Sequence, residues 1–248
     1  MGSSPSLLFR KALALLPRGT PLSTQLLADR GLSAKQVARL AEGGWLRRLG
    51  RGVYLLPGDE LNRDAALAWL GVQVPGLHVA GKTALAWRGV RHNLAFKERL
   101  VLWGDASATL PDWFSTAFTA TYQATHLFEG TLPQGVGLAP LPGGRSDLLV
   151  SEPERAVLEL LSDVGKTQGL EEARHLVEGT STLRLDVMDA LLAHLKRIKV
   201  ARLAHSFADE LGLPWAALAR RHSERLGGGL RWVSATKTGE RLNLKLPS

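Results

Sequence analysis

The chain contains no cysteine, which excludes a disulfide framework and any thiolate metal site. No apolar run approaches the roughly 20 residues that a membrane-spanning helix needs, so no membrane partner is expected. Its histidines, His78, His92, His126, His175, His194, His205 and His222, include no i, i+4 pair and no metal-binding string. The acidic pairs Glu152/Glu154, Glu171/Glu172 and Asp186/Asp189 lie in or beside helix starts, where the helix dipole accounts for them. The sequence therefore offers no metal, no cofactor and no catalytic residue. Internal repeats and low-complexity segments are absent too. The first residues, MGSSPSLLFRKALALLP, place their charges within the apolar stretch rather than ahead of it. They read as a helix rather than a signal peptide, and a cytoplasmic protein is expected.

What is present is positive charge, and it is unevenly placed. The 248 residues carry a net +8. Residues 1–60 hold 9 basic and 4 acidic side chains, 61–150 hold 7 and 6, 151–195 hold 4 and 9, and 196–248 hold 11 and 4. Two basic ends around an acidic middle point to phosphate-facing surfaces rather than to solubility alone. With 45% apolar residues the chain can bury a sizeable core. The seven tryptophans fall within apolar patterns and read as core residues.

Residues 33–56, SAKQVARLAEGGWLRRLGRGVYLL, carry the most specific pattern. Ser33 is a good N-cap and Gln36 stands at the capping-box spacing, so a helix is predicted from Ala34. Val37, Leu40 and Ala41 then form one apolar stripe, and Lys35, Gln36 and Arg39 share the solvated face. Gly43-Gly44 stops this helix. Trp45–Leu49 and Val53–Leu56 read as strands around Gly50-Arg51-Gly52. Upstream, a helix is predicted over Ser6–Leu16, and Ser23 caps a second that ends at Gly31. Three short helices and a hairpin make a winged helix-turn-helix, whose second motif helix enters the major groove. Arg favours guanine there and Gln adenine. The candidate DNA contacts are thus Ser33, Lys35, Gln36 and Arg39 on the helix and Arg47, Arg48 and Arg51 on the wing. The blander reading leaves the three wing arginines as ordinary solvated charges. A second basic surface is expected at Lys196, Arg197, Lys199 and Arg202, for which solvated helix ends are the competing account.

From about Leu61 helical and strand patterns alternate, so residues 61–248 are expected to form a larger mixed α/β domain behind a 1–60 winged helix, an α+β protein overall. Asn62 should cap a helix through Leu70. Strands are expected at Leu77–Ala80, Arg99–Trp103, Phe118–Thr125, Val136–Leu141 and Asp147–Val150. Helices follow from Pro153–Val164, with a helical sub-region at 185–226. A closing hairpin is expected over Leu230–Ala235 and Arg241–Leu246, pairing with the earlier strands. Gly76-Leu77-His78-Val79-Ala80-Gly81-Lys82-Thr83 matches the Walker A string. Its variable positions read as a strand rather than a phosphate-wrapping loop, which argues against a nucleotide site.

Three segments in this order, LRRLGRGVYLLPG, HVAGKTALAWRGV and LLVSEPERAVLELLSD, resemble the AbiEi-type antitoxins of bacterial type IV toxin-antitoxin systems. In the third, Pro153-Glu154-Arg155-Ala156 and Leu158 look like that family's helix start. The resemblance implies a winged helix that binds inverted repeats in double-stranded DNA at its own promoter and represses transcription. It further implies a C-terminal antitoxin domain that counters a nucleotidyltransferase-like toxin without a stable complex. Two protomers on the operator, and a monomer in solution, fit that picture. It also makes the Walker segment a structural strand-to-helix step. Two other readings stay open at this point: a stand-alone winged-helix regulator without a toxin, and a nucleotide-binding enzyme using Gly81-Lys82-Thr83.

Overall fold

The structure is a computed structural model that describes residues 14–90, 99–227, 231–235 and 241–245. The chain divides into two compact units, Met1–Gln73 with Thr109–Thr119, and Val74–Ala108 with Ala120–Ser248. The first unit therefore runs past residue 60 and takes in a later segment. It begins with β1 (Leu22–Ser23), α1 (Thr24–Asp29), α2 (Ala34–Glu42), β2 (Arg47–Gly50), β3 (Val53–Leu55) and α3 (Arg63–Gln73). The chain passes into the second unit for β4 (His78–Val79), α4 (Gly81–Trp87) and β5 (Leu100–Gly104), and α5 (Asp112–Ala117) belongs again to the first. The second unit is completed by β6 (Ala120–Ala124), β7 (Leu138–Ala139), β8 (Val150–Ser151), α6 (Pro153–Asp163), α7 (Leu170–Glu178), α8 (Leu185–Ala193), α9 (Ile198–Glu210) and α10 (Ala216–Leu226), with β9 (Arg231–Ala235) and β10 (Arg241–Lys245) at its end.

Local side-chain chemistry sets the helix starts of the first unit. Ser23 Oγ accepts the Leu26 N–H at 3.0 Å and opens α1. Asn62 Oδ1 accepts the Ala65 N–H at 2.9 Å and opens α3. Between α1 and α2 the Gly31 and Leu32 N–H groups return to Ala28 O and Leu27 O, closing the first helix before Ser33 begins the second. β1 pairs antiparallel with β3, Leu22 opposite Tyr54, and β3 with β2, in the order β1-β3-β2. Two short helices followed by a hairpin, with an edge strand from before the first, form a winged helix-turn-helix. Most of the helix expected over Ser6–Leu16 lies outside the described residues. Leu16 itself is buried in the core with Leu22, Leu27, Leu32, Val37, Leu40, Leu46, Tyr54 and Leu56. Each such apolar side chain contributes about 1.5–3 kcal/mol relative to exposure.

The second unit holds a mixed five-stranded sheet in the order β6-β5-β4-β8-β7. β5 and β6 run parallel, as do β4 and β8, and the β4–β5 and β7–β8 pairs are antiparallel. α6 is buried over most of its circumference, as a central helix must be, and α4 packs against it. The closing hairpin forms as expected in its arms. It makes a two-stranded sheet of its own rather than pairing with the earlier strands. Helix α5 stands where the sequence pattern indicated none.

Candidate nucleic-acid interface

Helix α2 presents the expected face. Val37 and Leu40 are buried and Ala41 partly so, whereas Lys35 and Arg39 are exposed on the opposite side. The capping box is complete: Ser33 Oγ accepts the Gln36 N–H at 3.4 Å, and the Ser33 N–H donates to Gln36 Oε1 at 2.7 Å. This changes what Gln36 can do. A bidentate adenine contact needs its amide oxygen and nitrogen together, and the oxygen already serves the helix start. Among the described residues, Lys35 and Arg39 are the unencumbered cations of this face.

At the end of α2 the Trp45 and Leu46 N–H groups return to Leu40 O, so the wing leaves the helix by a tight turn. Arg47 and Arg48 are exposed on β2, each with one donor held by the backbone: Arg47 Nη2 donates to Asp59 O at 3.1 Å and Arg48 Nε to Gly50 O at 3.3 Å. Asp59, in the sequence only the last residue of the closing Pro57-Gly58-Asp59 turn, is the anchor here. Its carboxylate accepts the Gly19 N–H at 2.7 Å and pairs with Arg18. Arg51 is exposed at the turn. Gly52 beside it has φ +73°, which a residue with a Cβ adopts only under strain. The helix-face and wing residues thus belong to one folded unit.

The four residues expected to form a second basic surface do not form one open face. Lys196 is exposed, but Arg202 is buried and Arg197 and Lys199 are half-buried. Arg197 Nη1 donates to Ser162 Oγ at 2.7 Å, and Lys199 Nζ donates to Val164 O. Both cations therefore sit at the C-terminal end of α6, where carbonyls lack helical partners and the dipole is negative. Burial, reinforced by the nearby charges of Lys166 and Arg197, lowers the Lys199 pKa. Arg202 Nη2 donates to Gly227 O at 3.3 Å. Of the basic residues beyond, Arg220 and Arg221 pair with Asp209 and Asp189, and Arg225 reaches Ala193 O. Much of the positive charge counted at this end holds helices together.

Family models cover nearly the whole chain. The one described as transcriptional regulator, AbiEi antitoxin, type IV toxin-antitoxin system matches residues 97–247, and that of the AbiEi antitoxin N-terminal domain matches residues 7–96. The chain belongs to the AbiEi antitoxin family. A solved structure, the RV2827C protein from Mycobacterium tuberculosis, shares its fold, with a TM-score of 0.60 at 16% identity over 92% of this chain and 84% of that one. The chain matches no curated protein.

In this AbiEi protein the Walker-like string is strand and helix rather than loop: His78 and Val79 form β4, and α4 begins at Gly81. Its groups are already taken. The Gly81 N–H, which would face a phosphate, donates to Glu159 Oε2 at 3.0 Å. Lys82 Nζ lies 3.4 Å from Glu172 Oε1. Thr83 Oγ1 donates to Arg99 O and accepts from the Val101 N–H, at 3.2 and 2.9 Å. Glu159 is the centre of a buried polar knot, accepting also from Ser151 Oγ at 2.7 Å, Arg155 Nε at 2.9 Å and His78 Nε2 at 3.0 Å. Burial alone would raise its pKa, but the charges and hydrogen bonds of His78, Arg155 and Ser151 prevail and hold it at about 2. Of the acidic pairs ascribed to helix dipoles, Glu152 and Glu154 both bind Arg184 at 2.9 Å. Glu154 is itself buried, so it is an ion-pair partner and not a solvated cap.

No helix among the described residues is long and apolar enough to cross a membrane, and no metal-binding cluster occurs among them.

Proposed function

We propose that this AbiEi regulator acts as a repressor that binds double-stranded DNA at its own promoter through the winged helix. Helix α2 enters the major groove with Lys35 and Arg39, and Arg47, Arg48 and Arg51 meet the phosphate backbone. Ser33 and Gln36 hold the start of that helix and contribute to DNA through its geometry. The observation that carries the reading is the exposure of Lys35 and Arg39 opposite the buried stripe of α2, on the same unit as the exposed wing tip. Inverted repeats in the operator would seat two protomers. As antitoxin, with its activity in the second unit, the protein counters a nucleotidyltransferase-like toxin without forming a stable complex. The chain is cytoplasmic in this reading. Of the basic C-terminal group, Lys196 is the one free to join a second DNA contact.

The test is a salt titration of binding to the chain's own upstream DNA and to a random duplex of equal length. The wild-type chain should bind the upstream DNA selectively. Arg39→Ala should relax preference by about 1–3 kcal/mol at one base pair. Arg51→Ala should weaken both duplexes alike and lower the salt slope by about one unit. Weak binding, equal on both duplexes and indifferent to both substitutions, would end this reading.

A further inference from the structure

Parallel strands such as β5 and β6 need a crossover connection, and a crossover helix ordinarily covers the face of its own sheet. In this protein the crossover contains α5, yet residues Thr109–Thr119 pack within the first unit. Trp113 on α5 comes up against the wing. A Cβ built on Gly50, the last residue of β2, would lie 3.2 Å from Trp113 Cδ1. Gly50 does not have a positive φ, so it is the approach of the indole, and not the turn, that its missing side chain serves. Trp113 also meets Trp69 of α3 edge-on, with centroids 5.4 Å apart at 76°. Phe114 follows at 6.0 Å from Trp113 and packs on Phe118 at 5.2 Å. Phe114 is fully buried. An aromatic column thus runs from α3 to the strand end that carries Arg51. On the other side of the turn, the Thr24 N–H donates to Gly52 O at 3.0 Å.

We propose that Trp113 is a positioning residue for the wing: its indole braces Gly50 so that the Gly50-Arg51-Gly52 turn presents Arg51 to the phosphate backbone already ordered. The inference rests on the DNA-binding reading above. A two-stranded hairpin is marginally stable alone, and a tip that must be ordered on contact loses affinity to that ordering. The brace removes this cost beforehand and does so from a segment outside both the helix-turn-helix and the wing.

A double-mutant cycle in the full-length chain tests it, read as Kd for the random and the upstream duplex across a salt series. Arg51→Ala alone should weaken binding to both by about five-fold and lower the salt slope by about one unit. In the Trp113→Ala background the same change should cost less than about two-fold, because the unbraced tip has already lost its contact. Arg39→Ala should cost the same in both backgrounds, and Trp113→Phe should restore part of the coupling. Should Trp113→Ala lose its cooperative melting transition, Trp113→Leu, which keeps an apolar side chain but removes the ring that meets Gly50, replaces it in the cycle with the same expectation. Equal cost of Arg51→Ala in both backgrounds, or no cost in the wild type, overturns the brace while selective binding and the effect of Arg39→Ala keep the DNA reading. A wild-type chain that binds neither duplex overturns both.

Discussion

Four donors converge on the Glu159 carboxylate from positions 78, 81, 151 and 155. The first of these lies 81 residues away, and only Arg155, at the i, i+4 spacing, is a neighbour that a linear pattern can indicate. Both ring nitrogens of His78 face oxygens, Gly76 O at 2.7 Å and Glu159 Oε1 at 3.0 Å. Removing the carboxylate charge leaves the Arg155 guanidinium without its ion-pair partner beside a buried site. Glu159→Gln should therefore destabilise the protein by about 3–5 kcal/mol, read from chemical denaturation at unchanged slope. The folded-state pKa of Glu159 is depressed from 4.5 to about 2. Its contribution to stability is then complete above pH 4.5 and lost as pH falls towards 2. Melting temperature should fall across that window in the wild type and less so in Glu159→Gln; identical acid profiles would contradict the account. Lys35 and Arg39 were legible for the opposite reason, since helical period alone places them across from Val37 and Leu40.

Among elements, α2 and the β2–β3 hairpin follow from local signals: a capping box at Ser33, glycines at 43 and 44, and a glycine pair around Arg51. Helix α5 and strand β1 do not. β1 is two residues long, and its pairing with Tyr54 and Val53 is a tertiary event with no local signature. α5 has Pro111 at its N-cap with no side-chain hydrogen bond there, and its helicity is held by the burial of Phe114 and the edge-on packing of Trp113. The capping box also separates two roles that the sequence assigned jointly to Gln36. Ser33→Ala and Gln36→Ala should each lower stability by about 0.5–2 kcal/mol through loss of the cap. Both should leave preference among single-base variants of the operator unchanged. Gln36→Ala that relaxes preference at one base pair as far as Arg39→Ala does would make Gln36 a base reader and refute its confinement to the cap.

At the scale of the whole molecule, charge was legible as an amount but not as a purpose. Among the described residues of that basic end, the cations are spent largely on Asp189, Asp209, Ser162 and carbonyls near helix ends, and an arginine near a helix end is indistinguishable in sequence from one facing a phosphate. Family and winged helix were legible because they rest on ordered local motifs. The extent of the first unit was not, since it depends on Thr109–Thr119 packing with residues more than thirty positions upstream. The N-terminal family model ends at residue 96, before that segment begins. A fragment of residues 1–96 thus retains α1, α2, the wing and α3, but leaves Trp69 without Trp113 and Gly50 without its indole. Loss of the buried Phe114 alone costs about 3–5 kcal/mol, and each kcal/mol is worth roughly 4–8 °C in a domain of this size. The fragment should melt some ten degrees or more below the transition of the same unit in the full chain, as calorimetry would record. A fragment that melts at the same temperature would mean that the wing unit is complete without α5, and that Trp113 stands beside the wing without supporting it.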